Sequence, residues 1–82
     1  MTIKIKSVSP LENMILSVEF VNGVKKTYDV KPLMDKIEVF KDLQNQTIFN
    51  LVHADTGGYG VIWNDYIDLS CDELWEHGIE IK

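Results

Sequence analysis

The chain has 82 residues and a mass of 9.4 kDa, with 45% hydrophobic and 26% charged side chains. That composition fits one small globular domain over residues 1–82 and excludes the disordered and fibrous classes. Thirteen acidic residues against eight lysines, with no arginine, give a formal net charge of -5, which excludes a strongly basic nucleic-acid module.

The single cysteine, Cys71, excludes an intrachain disulfide and suits a reducing compartment. No run reaches the roughly 20 apolar residues of a spanning helix, and the alternating Thr2 to Lys6 segment lacks the apolar stretch of a signal peptide. A cytoplasmic protein with no membrane contact is expected. The acidic balance makes a basic protein partner easier to accommodate than nucleic acid.

Thr2 to Val8 reads as a first strand, with Ile3 and Ile5 on one face and Lys4 and Lys6 on the other. Pro10 cannot donate to a ladder, so this strand ends there or lies at an edge. Asn13 to Val30 reads as a hairpin about Asn22-Gly23. A two-residue loop would set the apolar face of one strand against the polar face of the other. A three-residue loop, Val21-Asn22-Gly23 with Gly23 left-handed, pairs Phe20 with Val24, Val18 with Lys26, Leu16 with Tyr28 and Met14 with Val30. The three-residue loop is therefore the expected register.

Pro32 suits the first position of a short helix with Leu33, Met34 and Ile37 on its apolar side. Leu43, Ile48 and Phe49 read as core anchors about one helical turn near Gln44 to Phe49. Leu51 to Asp55 and Tyr59 to Trp63 form a second hairpin about Thr56-Gly57-Gly58, with Gly60 marking a close approach or a bulge. Asn64-Asp65 begins a turn. Ser70 to His77 reads as a helix with Ser70 as N-cap, Glu73 completing a capping box and Gly78 as the left-handed residue after its end. Ile79-Glu80-Ile81 alternates and could add a last strand. The fold class is α+β, in the order βββ-α-ββ-α.

Candidate chemistry is sparse. His53 and Asp55 are two apart on a strand and share a face, but no third ligand or nucleophile is placed beside them. Glu73 and His77 are an i, i+4 helix pair, which a helix end explains without a metal. Gly57-Gly58-Tyr59-Gly60 runs into a strand, whereas a phosphate loop opens a helix. Asp65, Asp68, Asp72 and Glu73 lack the spacing of a calcium loop. Ser70 is used as a cap, and neither it nor Cys71 has a histidine placed to activate it. No catalytic residue, metal or cofactor is expected. The strongest functional signal is aromatic: Tyr59, Trp63, Tyr66 and Trp75 fall close together and could form an interaction surface.

The order of these motifs resembles a family of small bacterial proteins catalogued as domain of unknown function 2442. The carrying residues are Val8 and Pro10, then Leu16-x-Val18-x-Phe20-x-Asn22-Gly23, Tyr28-Asp29-Val30 and Pro32-Leu33. Leu43, Phe49, Gly58, Val61-x-Trp63, Asp68-Leu69 and Asp72-x-Leu74 complete the pattern, while Tyr66-Ile67 departs from the glycine turn common in the family. The resemblance implies an α+β fold without established enzymatic activity. Some relatives are fused to a helix-turn-helix domain, and others are encoded beside a second small protein in a toxin–antitoxin-like arrangement.

The favoured expectation is a non-enzymatic interaction module, the acidic, antitoxin-like or regulatory member of a two-protein pair. A second reading is a small-ligand sensor or minor enzyme with a site near His53, Asp55 and Trp63. A third is a homodimer with no further activity.

Overall fold

The computed structural model describes residues 2–81. Three strands open the chain: β1 (Ile5–Pro10), β2 (Ile15–Phe20) and β3 (Lys25–Asp29). A helical stretch follows, with 3-10 segments at Lys31–Asp35 and Glu38–Gln44 and one α-helical turn, α1 (Gln46–Phe49). Then come β4 (His53–Ala54), β5 (Gly60–Asn64), β6 (Ile67–Ser70), α2 (Cys71–His77) and β7 (Ile79–Glu80). The strands form two antiparallel sheets, ordered β1-β2-β3-β7 and β4-β5-β6, so the fold class is α+β.

The first hairpin has the three-residue loop. Phe20 N–H donates to the Val24 carbonyl, Gly23 has φ +90°, and Leu16 and Val18 stand opposite Tyr28 and Lys26. The apolar pattern forces this register, because a slip of one residue would expose Leu16, Val18 and Phe20, all fully buried. The other face of this sheet carries Ser17, Glu19 and Thr27, which are half-buried, and Lys25, which is exposed.

The second hairpin turns through Thr56 to Gly58. Asp55 Oδ1 accepts from the Gly57 and Tyr59 amides, and Gly58 has φ +77°. Gly58 also joins the two sheets: its carbonyl accepts from Ile5 N–H at 2.7 Å. Gly60 marks a close approach, since a Cβ there would lie 2.5 Å from the Leu69 carbonyl oxygen. Val61 is fully buried and Ile62 half-buried.

The short helix expected after Pro32 is present as a 3-10 segment with Pro32 in its first turn. Three other expectations need correction. Ile67 to Ser70 forms a strand that the turn at Asn64-Asp65 feeds; Ile67 and Leu69 are buried while Asp68 and Ser70 are exposed. Gly78 is extended, with φ -74°, and what it avoids is crowding, because a Cβ would meet the Leu74 carbonyl and Lys26. Ser70 does cap α2 by accepting from Glu73 N–H at 3.1 Å, but the Glu73 carboxylate accepts from Tyr28 instead of closing a capping box.

One core lies between the sheets. Phe20, Leu16 and Val18 from the first sheet meet Leu43, Phe49, Val61, Ile67 and Leu74. No helix among the described residues is long and apolar enough to cross a membrane.

Candidate interaction site

α2 is seven residues long, too short to be stable without tertiary contacts. Its inner side docks on the end of β3. Trp75 packs edge-on against Phe20, with ring centroids 5.0 Å apart. Lys26 lies over the Trp75 ring at 4.0 Å and donates to the Trp75 carbonyl. Tyr28 OH donates to Glu73 Oε2 at 2.8 Å, and His77 Nε2 stands 3.9 Å from Glu73 Oε1.

This docking leaves a groove of about 690 Å³ between α2 and the 3-10 segment at Lys31–Asp35. Ile15, Leu33 and exposed Ile79 supply apolar surface, and Tyr28, Glu73 and His77 line its α2 side. Lys36 lies on the 3-10 side. Asp29, also in the lining, is paired with Lys31 at 3.0 Å. The bond from Tyr28 holds one Glu73 oxygen in place and leaves the other turned to the histidine.

Burial first, and then the bond to Glu73, raise the Tyr28 pKa well above the ordinary phenol range, so the hydroxyl stays a donor at neutral pH. Burial likewise raises the Cys71 thiol, with the Asp72 carboxylate adding to it. A thiol in that state is a poor nucleophile.

The four aromatics do not form one surface. Trp63 is in the core, its indole N–H donating to the Phe49 carbonyl at 3.0 Å, with Phe40 and Phe49 against the ring. Trp75 is half-buried under Lys26. Tyr59 and Tyr66 are exposed, at 56% and 82%. Lys4 lies over the Tyr59 ring, and Asn64 Oδ1 accepts from the Tyr66 and Ile67 amides, so Tyr66 projects from a braced turn.

His53, Asp55 and Trp63 do not converge either. The His53 ring is exposed beside the Leu51 carbonyl, Asp55 braces the glycine turn, and Trp63 faces the core. No three of the described His, Cys, Asp and Glu side chains are placed to hold a metal ion.

The sequence pattern does not single out Tyr28, Leu33 or Lys36 as functional candidates, and it presents Glu73 and His77 as a helix-end pair in preference to a metal half-site. A signal was present at Tyr28. An aromatic on the core face that carries a hydroxyl needs a polar partner.

Charge is divided along the chain. Between Lys41 and Lys82 there is no lysine, yet eight of the thirteen acidic residues fall there. That stretch builds the second sheet and α2, whereas Lys6, Lys25 and Lys26 lie on the first sheet.

No curated protein and no solved structure gives a significant match to the chain. A family model does, over residues 5–80, and the chain therefore belongs to the family described as protein of unknown function (DUF2442).

Proposed function

We propose that this protein is a non-enzymatic interaction module that docks on a small basic protein. The observation that carries the reading is the division of charge. The second sheet and α2 come from a stretch with acidic residues and no lysine, and Tyr66 stands 82% exposed between Asp65 and Asp68. An exposed, braced tyrosine offers contact area at little entropic cost, and the surrounding carboxylates steer a cationic partner toward it. The dispersal of His53, Asp55 and Trp63 supports the same reading over a ligand sensor at that position. An antitoxin-like role beside a small partner accords with this chemistry.

Co-expression with the product of the adjacent gene, followed by affinity capture, tests the reading. Co-purification is expected at about 0.1 M salt and should weaken toward 1 M, as the screening length falls from about 10 Å to about 3 Å. Absence of the partner from the captured material at low salt overturns it.

A further inference from the structure

We infer that the groove beside α2 binds an extended segment of the protein partner, anchored by one basic side chain on Glu73. The inference rests on the interaction reading above and gives that reading a place and a chemistry.

The anchor is a carboxylate prepared for a cation. Tyr28 OH fixes Glu73 Oε2, and the Glu73 side chain keeps 37% of its surface exposed. Its near neighbour, His77, lies 3.9 Å away and is 65% exposed, so its ring is free to turn into solvent and leave Glu73 Oε1 to a lysine or arginine entering the groove. A fixed acceptor loses little freedom when it is paired, which favours a bound cation.

The rest of the groove suits chain beside that anchor. Ile15, Leu33 and Ile79 offer apolar surface for flanking side chains and for the aliphatic stem of the basic residue. Lys36 on the 3-10 side disfavours a second cation there. β7 pairs with β3 only at Lys26 and Thr27, and Ile81 N–H reaches the Lys25 carbonyl. The same edge at Asp29 has no strand beside it among the described residues, so an extended segment can meet main chain at that end. The volume, about 690 Å³, accommodates a few residues.

The test is an NMR titration of the whole isotope-labelled chain with an acetylated, amidated Gly-Leu-Lys-Leu-Gly peptide, and with its Gly-Leu-Glu-Leu-Gly counterpart. Saturable shifts centred on the amides of Thr27, Asp29, Leu33, Glu73 and Ile79 are expected with the lysine peptide alone. Glu73→Gln retains the backbone N–H that Ser70 caps and should weaken binding about tenfold, the effect of losing one charge-assisted bond. Ile79→Lys, at a position 73% exposed, adds a repelling cation without touching the core and should weaken it as well. Asp42→Asn removes one charge at an exposed position outside the groove lining and away from Tyr66, and should leave binding unchanged.

Equal shifts with both peptides, shifts centred elsewhere, or equal weakening by Asp42→Asn and Glu73→Gln overturn the groove as the site. Capture of the partner that survives Glu73→Gln and Ile79→Lys overturns the groove and leaves the interaction reading intact. Peptide binding without capture of the adjacent gene's product overturns that choice of partner and supports the groove.

Discussion

Tyr28 and Glu73 lie 45 residues apart and meet through a 2.8 Å hydrogen bond, phenol to carboxylate. The contact ties the end of β3 to the first turn of α2 and sets the orientation of the groove's carboxylate. Tyr28→Phe keeps the ring in the core and deletes the donor. A partly buried bond to a charged acceptor contributes about 1–2 kcal/mol. At this chain length that corresponds to a melting point lower by about 4–8 °C per kcal/mol. Urea unfolding of the two proteins measures it, and coincident curves would mean that hydration of Glu73 fully replaces the bond.

The same pair predicts how stability changes in alkali. Burial and the Glu73 bond raise the folded-state pKa of Tyr28 above the ordinary value of 10.0. The unfolded chain therefore loses the phenolic proton first. The stabilisation is fully present below pH 10 and declines above it, by up to about 1.4 kcal/mol per pH unit. Every other ionisable side chain is common to wild type and Tyr28→Phe, so the difference between the two proteins isolates the phenol. The difference between the two proteins should shrink between pH 9 and pH 11. A difference that stays constant across that interval would contradict the raised pKa.

How much was legible in the sequence depended on whether local constraints agreed. Between Ile15 and Asp29, apolar alternation, Asn22-Gly23 and the need for left-handed backbone at Gly23 all select one register, and that register is present. Ser70 was legible as a cap because its role is satisfied within three residues. β6 was obscured because Asn64-Asp65 announces a turn and Ser70 a helix, leaving only Ile67 to Leu69 to show alternation. The groove was not legible. Its parts come from β2, β3, the 3-10 segment, α2 and β7, and no local pattern records that these meet. Trp63 and Tyr66 illustrate the same limit. Both are large aromatics near a turn, and only the pairing of β5 with its neighbours turns Trp63 inward while the Asn64 brace leaves Tyr66 outside.

Two glycines with positive φ should respond unequally to alanine. At Gly23 a Cβ would meet nothing within 4 Å, so the cost is backbone strain alone, about 1 kcal/mol. At Gly58 the Cβ would sit 2.6 Å from the Ile5 carbonyl oxygen, within the same contact that joins the sheets. Gly58→Ala adds a backbone clash to the same strain and should cost more. Thermal melts should rank wild type above Gly23→Ala and Gly23→Ala above Gly58→Ala. The reverse order would mean that the junction between the sheets yields easily.

Trp63 and Tyr66 should separate stability from binding. Trp63 is 4% exposed, and its indole N–H is bonded to the Phe49 carbonyl, so Trp63→Ala removes core volume and the shorter of the two hydrogen bonds to that carbonyl, Val52 N–H giving the other at 3.3 Å. A cost of about 3–5 kcal/mol is expected, enough to leave so small a domain largely unfolded. Tyr66→Ala removes a side chain 82% exposed and should move the unfolding free energy by no more than about 0.5 kcal/mol. If Tyr66 contacts the basic partner, that substitution weakens capture while the melting curve stays in place. Because the amides of Tyr66 and Ile67 bond to Asn64 Oδ1, the turn itself survives the loss of the ring. Undiminished capture by the folded Tyr66→Ala protein would remove Tyr66 from the interface and leave the α2 groove to carry it.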